Sequence, residues 1–288
     1  MLKACGINDF SQLNEKSNNR LSYGDPIISP PLIIDIDASQ ISSLSCYCPF
    51  SVMITKGGEI QAIGNNTDGS ISRSLPKEIL HHFSKYTIRD NEGRKCIPIS
   101  AYACSSFTLY LVSIEGIDGT YLALASPEIT SKYPIILKTK SSNLLGLFGG
   151  AVYYAAAIDS EGSIYIVDVA SIKNQQSGII EPTRLPNGEK AVSVAFCLGY
   201  IIVLAESSNI FISQVTYTKD FQFEKINEFK IVSELKGKKI KQISGVSGNC
   251  LAVSEDGKVF GYGNNKSLSL GLNRRGHIQS YNEFTEQI

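Results

Sequence analysis

Short apolar runs come in pairs along this chain, and each pair is joined by a polar turn that carries glycine. FSVMITKG (50–57) leads into GEIQAIGNNTDGSI (58–71), and NCLAVSED (249–256) leads into GKVFGYGNN (257–265), so one frame, G-[EK]-[IV]-x-x-[IY]-G-N-N, stands near both ends. Runs of this length, rich in Ile, Val, Tyr and Phe, predict strands, and two of them across a tight turn predict a hairpin with an exit loop. Looser copies occur at TLYLVSIEGIDGTYLALA (108–125), YAAAIDSEGSIYIVD (154–168) and YIIVLAESSNIFISQ (200–214). The expected turn positions are Gly58, Gly119, Gly162, Ser208 and Gly257, separated by 61, 43, 46 and 49 residues. Two-residue turns at these places require positive φ, which the missing Cβ of glycine allows.

A hairpin cannot bury its own apolar face in water, so units of about four strands must stack on their neighbours. A single hairpin in each period of close to fifty residues favours radial stacking, a β-propeller, over a sandwich or an open solenoid. Eight residues before the turns stand Phe50, Tyr154, Tyr200 and Asn249, with Phe107 near the corresponding place, and the aromatic ones are expected to pack between units. The segment SLPKEILHHFSKYTIRD (74–90) fits a short helix starting near Pro76, with Leu75, Ile79 and Phe83 on one side, and fits equally an outer strand ending in YTIRD.

Composition narrows the function. The 288 residues are 43% apolar, enough for a sizeable core, and 27 basic residues balance 27 acidic ones, so no net field favours nucleic acid or an anionic membrane. The opening MLKACGINDF lacks a signal-peptide core and the longest apolar run, AVYYAAAI (151–158), is too short to span a bilayer, so the expected setting is intracellular, cytoplasmic or nuclear. Seven cysteines (Cys5, Cys46, Cys48, Cys96, Cys104, Cys197, Cys250) are odd in number and never spaced as C-x-x-C, the pattern of reduced, mostly buried thiols.

Candidate chemistry is sparse. Gly261 and Gly263 ahead of Lys266 and Ser267 suggest a phosphate loop, but Phe260 and Asn265 stand where its two glycines belong, and Lys266 occupies the third-glycine place of a dinucleotide fingerprint. His81, His82 and His277 have no metal or dyad spacing and are expected in solvated loops. Carboxylates at Asp118, Glu161, Glu255 and Asp256 cluster in turns, and no G-x-S-x-G elbow occurs. The expectation is a protein that is not an enzyme and takes no cofactor or metal. The densest basic run, KGKKIK (236–241), with Arg274, Arg275 and His277 beyond it, is expected to be solvated surface.

At SEDGKVFGYGNNKSLSLGL (254–272) the chain resembles the regulator of chromosome condensation repeat: apolar strand, D-G turn, V-x-x-x-G-x-N, then a G-Q-L-G-like loop. ACGINDFSQLNE (4–15) matches the second half of such a unit, with Gly6 and Asn8 in the G-x-N places that Gly64 and Asn66, and Gly263 and Asn265, fill elsewhere. Gly6, Asn8, Gly58, Gly64, Asn66, Gly119, Gly162, Gly257, Gly263 and Asn265 are therefore assigned as structural repeat positions, while Ala125, Asp168 and Gln214 replace the exit glycine in the central copies. The resemblance implies an all-β single domain over 1–288, built as a propeller of four-stranded antiparallel blades. Five complete blades and a partial one, against a family norm of seven, imply either a ring that closes with fewer blades or a chain that is part of a longer sequence, the second being the preferred expectation.

For function the expectation is a non-catalytic scaffold that binds a protein partner through propeller loops. The alternative implied by the family's founding member is guanine-nucleotide exchange on a Ran-like small GTPase, and chromatin binding is disfavoured by the zero net charge. No segment matches the exchange wedge, so no functional residue is carried over. The oligomeric state is left open.

Overall fold

The computed structural model describes residues 2–6, 28–34, 37–47, 49–104, 106–149, 154–169, 172, 179–197, 199–217, 223–246, 248–264, 270 and 280–286. Six antiparallel sheets make up most of the regular structure among them. A two-stranded sheet pairs β1 (Leu2–Gly6) with β2 (Ile28–Ile34). The next joins β3 (Ile41–Tyr47), β4 (Phe50–Thr55), β5 (Ile60–Asn65) and β6 (Ile79–Tyr86) in chain order. β7 (Ile88–Arg89), β8 (Lys95–Ala103), β9 (Thr108–Ile114), β10 (Ile117–Ala125) and β11 (Ile135–Leu137) form a five-stranded sheet, also in chain order. It is followed by β12 (Leu144–Gly149), β13 (Tyr154–Asp159), β14 (Ile164–Asp168) and β15 (Pro182–Thr183). In the fifth sheet β16 (Ala191–Cys197), β17 (Tyr200–Ala205), β18 (Ile210–Tyr217) and β19 (Phe223–Ile226) run in order, with β20 (Lys230–Ile231) also on β18. β21 (Ile240–Val246), β22 (Asn249–Ser254), β23 (Val259–Asn264) and β24 (Ser280–Glu286) complete the sixth.

Packing divides the chain into two units, Met1–Leu147 with Ile172–Ile179, and Phe148–Ser171 with Ile180–Ile288. In the first, Phe50, Val52 and Ile54 of β4 share one core with Tyr110 and Val112 of β9 and Ala123 of β10. Serines help this packing, since Ser43 and Ser45 of β3 accept the backbone N–H groups of Ala101 (3.4 Å) and Ala103 (2.9 Å) from β8. In the second unit, β17 is buried on both faces: Ile201 and Val203 pack with Tyr154 and Ala156 of β13, while Ile202 and Leu204 pack with Cys250 and Ala252 of β22. Such double burial explains why β17 reads as an unbroken apolar run instead of an alternating one, and each fully buried Ile or Val contributes about 1.5–3 kcal/mol.

Five hairpins close on one loop geometry, the β7–β8 turn among them with Asp90 N–H to Arg94 O and Gly93 N–H to Asp90 O at 3.1 Å. In β4–β5 the N–H of Thr55 donates to Glu59 O and that of Gly58 to Thr55 O, both at 2.9 Å. The pairs Asp159–Ser163 and Gly162–Asp159, Ala205–Asn209 and Ser208–Ala205, and Ser254–Lys258 and Gly257–Ser254 repeat this at 2.9–3.1 Å. The loops therefore hold three residues, not the two expected, and only the third residue needs positive φ: Gly58 at 74°, Gly162 at 75°, Ser208 at 67° and Gly257 at 85°. A single left-handed position is why Ser208 is tolerated, at a cost of about 1–2 kcal/mol.

Gly119 is not at a turn. Ile114 pairs with Ile117, which puts the turn of β9–β10 at Glu115 and Gly116, and Gly119 lies inside β10 where the ladder slips between Ile117 and Tyr121. Its φ of 108° lets the Thr120 N–H reach Ser142 O at 2.6 Å, and a Cβ there would lie 2.5 Å from that same carbonyl. The segment 74–90, open between helix and strand in sequence, contains strands β6 and β7. His81 and His82 are thus on an exposed strand, not in a loop.

The exit glycines act by close approach. Gly64 has φ 108°, and its register slip with β6 turns the Asn65 N–H back onto Pro49 O at 3.0 Å; Gly263, also at 108°, does the same for Asn264 and Gly248 O at 2.9 Å. A Cβ on Gly64 would stand 2.5 Å from Pro49 O and 2.7 Å from Phe50 Cα, both backbone. Gly64→Ala should destabilise the fold by at least about 2 kcal/mol, and Gly116→Ala, where a Cβ meets nothing within 4 Å, by about 1 kcal/mol. Urea unfolding of the two variants measures the difference; equal midpoints would refute the close-approach account.

Candidate functional site

The loop that leaves β5 is built around one buried asparagine. Asn66 donates from Nδ2 to Ser72 O (2.9 Å) and Pro76 O (3.0 Å), and its Oδ1 accepts the N–H groups of Ile71 (3.1 Å) and Ser72 (3.2 Å). Its own backbone N–H donates to Glu78 O at 3.0 Å. One side chain thus does for a turn of ten residues what a strand ladder does elsewhere.

The same loop is latched to the next sheet. Thr108 Oγ1 donates to Ser70 O (2.9 Å), Tyr110 OH to Ile71 O (2.7 Å) and Arg73 Nη2 to Pro127 O (2.6 Å). Because the Tyr110 proton is used on Ile71 O, the Tyr86 hydroxyl must be the donor in the 2.9 Å contact between the two phenols. Burial pushes both phenols well above the ordinary tyrosine range, with Tyr110 beside Tyr86 adding to the latter's shift. They are neutral hydrogen-bonding groups, not acid–base groups. A cavity of about 10 Å³ lies between the exit loops, lined by Gly69, Arg73, Ser126, Ile129 and Tyr133 among others. It is far below the several hundred Å³ of a small-molecule pocket.

Buried carboxylates are engaged in the same way. Asp159 Oδ1 accepts the N–H groups of Glu161 (3.0 Å) and Ser163 (2.8 Å), and Tyr165 OH donates to its Oδ2 at 3.1 Å. Asp90, between β7 and β8, repeats this with the N–H groups of Glu92 (3.0 Å) and Arg94 (2.8 Å) and adds the Arg94 Nε at 2.6 Å. Burial alone would raise the Asp90 carboxyl, but the Arg94 side chain and the two backbone donors outweigh it and hold the group below its usual range. The shared spelling, Asp with Gly three residues on at 90–93 and 159–162, was the signal available in sequence. Thr55 and Ser254 take the same place in two other hairpins, where Thr55 Oγ1 accepts the Glu59 N–H at 3.1 Å.

The remaining assigned positions are structural in their surroundings. Gly58 lies under Ile97, whose Cγ2 would be 3.3 Å from an added Cβ; Gly162 lies against Lys190 and Ala191; Gly6 closes β1, opposite Ile28. Asn8 and Asn265, like Lys266, Ser267 and His277, lie outside the described residues. Gly261 is packed under Leu270, 3.4 Å from an added Cβ, where a phosphate loop would need open backbone. Among the described residues no three His, Cys, Asp or Glu side chains group as a metal site, and no helix is long and apolar enough to cross a membrane. Cys96, Cys104, Cys197 and Cys250 are buried, while Cys46 is exposed on β3. Burial pushes the Cys96 thiol up to about 11, Asp90 adding to the shift, and burial raises that of Cys197 to about 12.

Five sheets of four or five antiparallel strands define a β-propeller. No family model and no curated protein sequence matches the chain. Human WBSCR16 is similar in structure, with a TM-score of 0.68 at 14% identity over 99% of this chain and 76% of that one. Prp20p of Saccharomyces cerevisiae aligns at 0.48 and 13% identity over 85% of this chain and 76% of its own. YCF48 of Cyanidioschyzon merolae aligns at 0.49 and 11% over 83% and 72%. The fold is an RCC1-like β-propeller.

Two outcomes test the loop assignments. Asn66→Ala leaves buried backbone groups of 71–76 without partners and should lower stability by about 2–4 kcal/mol, with faster amide exchange confined first to that loop; unchanged exchange there would contradict its organising role. For Asp90 the depressed folded pKa means its contribution is complete above the unfolded value of about 3.9 and is lost as the pH falls through the lower folded value. Asp90→Asn should therefore be less stable at pH 7 and show a shallower loss of stability in acid; parallel curves for both proteins would overturn this.

Proposed function

We propose that the protein is a non-catalytic interaction scaffold, intracellular and without cofactor, which binds a protein partner through the loops at the ends of its blades. The observation that carries this reading is the engagement of three buried polar side chains in the loops. Asp90, Asp159 and Asn66 are occupied by the N–H and C=O groups of their own loops, so the loops are set in shape before any partner arrives. Preset loops on a rigid sheet frame lose little conformational freedom on association. Thr67, Asp68, Lys77 and Glu78 of the exit loop, and Asn91 and Glu92 of the β7–β8 loop, project from this frame to solvent.

A photo-crosslinking residue placed at Thr67 or Asn91 should capture a discrete protein in the native cell, and the same residue at Lys85 on the outer strand β6 should not. Nucleotide release from a panel of small GTPases should be unaffected by the purified protein. Accelerated release at substoichiometric protein would replace the scaffold reading with guanine-nucleotide exchange.

A further inference from the structure

The turn before β21 departs from its siblings. In four blades a residue just ahead of β3, β16 or β21, or first in β8, offers its carbonyl to the turn of the following hairpin: Gln40 O to Lys56 N–H (2.7 Å), Lys95 O to Glu115 (3.0 Å), Lys190 O to Glu206 (2.9 Å) and Lys239 O to Glu255 (3.0 Å). The residue before it is Ser39, Arg94, Glu189 or Lys238. Where that residue is charged in the sibling blades, its own blade holds it. Arg94 bonds the Asp90 and Glu92 carboxylates at 2.6 and 2.8 Å, and Glu189 accepts from Ser207 Oγ (2.9 Å) and Asn209 Nδ2 (3.1 Å).

Lys238 is held by nothing of the kind. Lys236, Lys238, Lys239 and Lys241 are all exposed, and among the described residues none is in an ion pair. The backbone under them is firm: Leu235 is buried, Lys236 N–H reaches Ser233 O (3.2 Å) and Lys238 N–H reaches Leu235 O (3.0 Å). Lys239 sits at φ 48°, a left-handed conformation that glycine takes without strain, as Gly237 does at 79°. The fold uses the Lys239 carbonyl and the Leu235 side chain; the four ammonium groups have no part in it.

We propose that the turn 236–241 docks an acidic segment of a protein partner. This rests on the scaffold reading and names the chemistry of one of its contacts. Four cations within six residues make a compact positive spot, bounded by exposed Glu234, Glu255 and Asp256. A nucleic-acid duplex presents charge every ~1.7 Å along its axis and would meet those carboxylates, whereas a short acidic peptide can end within the spot. The balanced whole, 27 cations against 27 anions, supplies no wider field to draw in a polyanion.

The test titrates the intact protein with a fluorescent octaglutamate peptide and, separately, a 16-base-pair DNA duplex. Octaglutamate should bind at 50 mM salt and weaken about tenfold or more both at 200 mM salt and in the double variant K238E/K239E. Lys239→Gly should weaken binding while raising the thermal midpoint by about 2 °C, since it removes the strained side chain. Tighter binding of the duplex than of the peptide, no peptide binding at low salt, or binding indifferent to K238E/K239E would each overturn the proposal. If the proposal fails while crosslinks at Thr67 or Asn91 persist, the scaffold reading stands; if no loop position crosslinks, the scaffold reading falls first.

Discussion

Burial of one strand from both sides is the constraint on which this structure depends. β17 presents Ile201 and Val203 to one core and Ile202 and Leu204 to another. No single sheet can satisfy that demand, because each has two apolar faces and can bury neither by itself. Sheets must therefore stack, and the connections must run at the blade ends where they do not intrude between faces. The close approaches at Gly64 and Gly263 are alike: both return the chain onto the carbonyl of the preceding turn, Pro49 O and Gly248 O. Where a neighbouring inner strand offers edge N–H groups, as Ala101 and Ala103 do, serines on β3 meet them and the stack is sealed without a shared ladder.

The fold class was legible in the sequence because its signal is repeated. Apolar runs with glycine turns at a common spacing need no single residue to be read correctly. Finer geometry was less legible wherever two residues could satisfy one rule. EGIDG carries two glycines that both admit positive φ, and only the pairing of Ile114 with Ile117 decides that Gly116 makes the turn and Gly119 the bulge. The three-residue loops were hidden for a similar reason: glycine alone marks a turn without stating its length. The segment 74–90 has a polar and apolar pattern compatible with both helix and strand, and its pairing with β5, Gln61 opposite Lys85, settles it.

The candidate site was less legible still, because its logic lies in hydrogen bonds between residues of ordinary type. Asn66 stands in a run of Asn, Thr, Asp, Gly and Ser where any polar side chain could organise a turn, and its partners lie five to ten residues away. Tyr110 and Thr108 read in sequence as strand residues, which they are, yet their hydroxyls also fasten the exit loop of the preceding blade. Tertiary hydrogen bonds of this kind leave no periodicity, so they become visible only when the two elements are brought together.

Repetition within one chain then supplies a comparison that a single-copy fold lacks. Equivalent positions in sibling blades meet equivalent backbone demands, so what they share is required by the architecture and what one blade holds alone is free to serve another purpose. The carbonyls of Gln40, Lys95, Lys190 and Lys239 are shared; the adjoining charged side chain is held by its own blade at Arg94, through carboxylates, and at Glu189, through a hydroxyl and an amide, but not at Lys238. Unpaired, the Lys238 ammonium adds nothing to blade stability and is repelled by the three lysines beside it, while the left-handed backbone of Lys239 adds strain at the same turn. Partner chemistry in this propeller is accordingly to be sought where a blade breaks its own rule at a cost to itself, and the turn ahead of β21 is such a place.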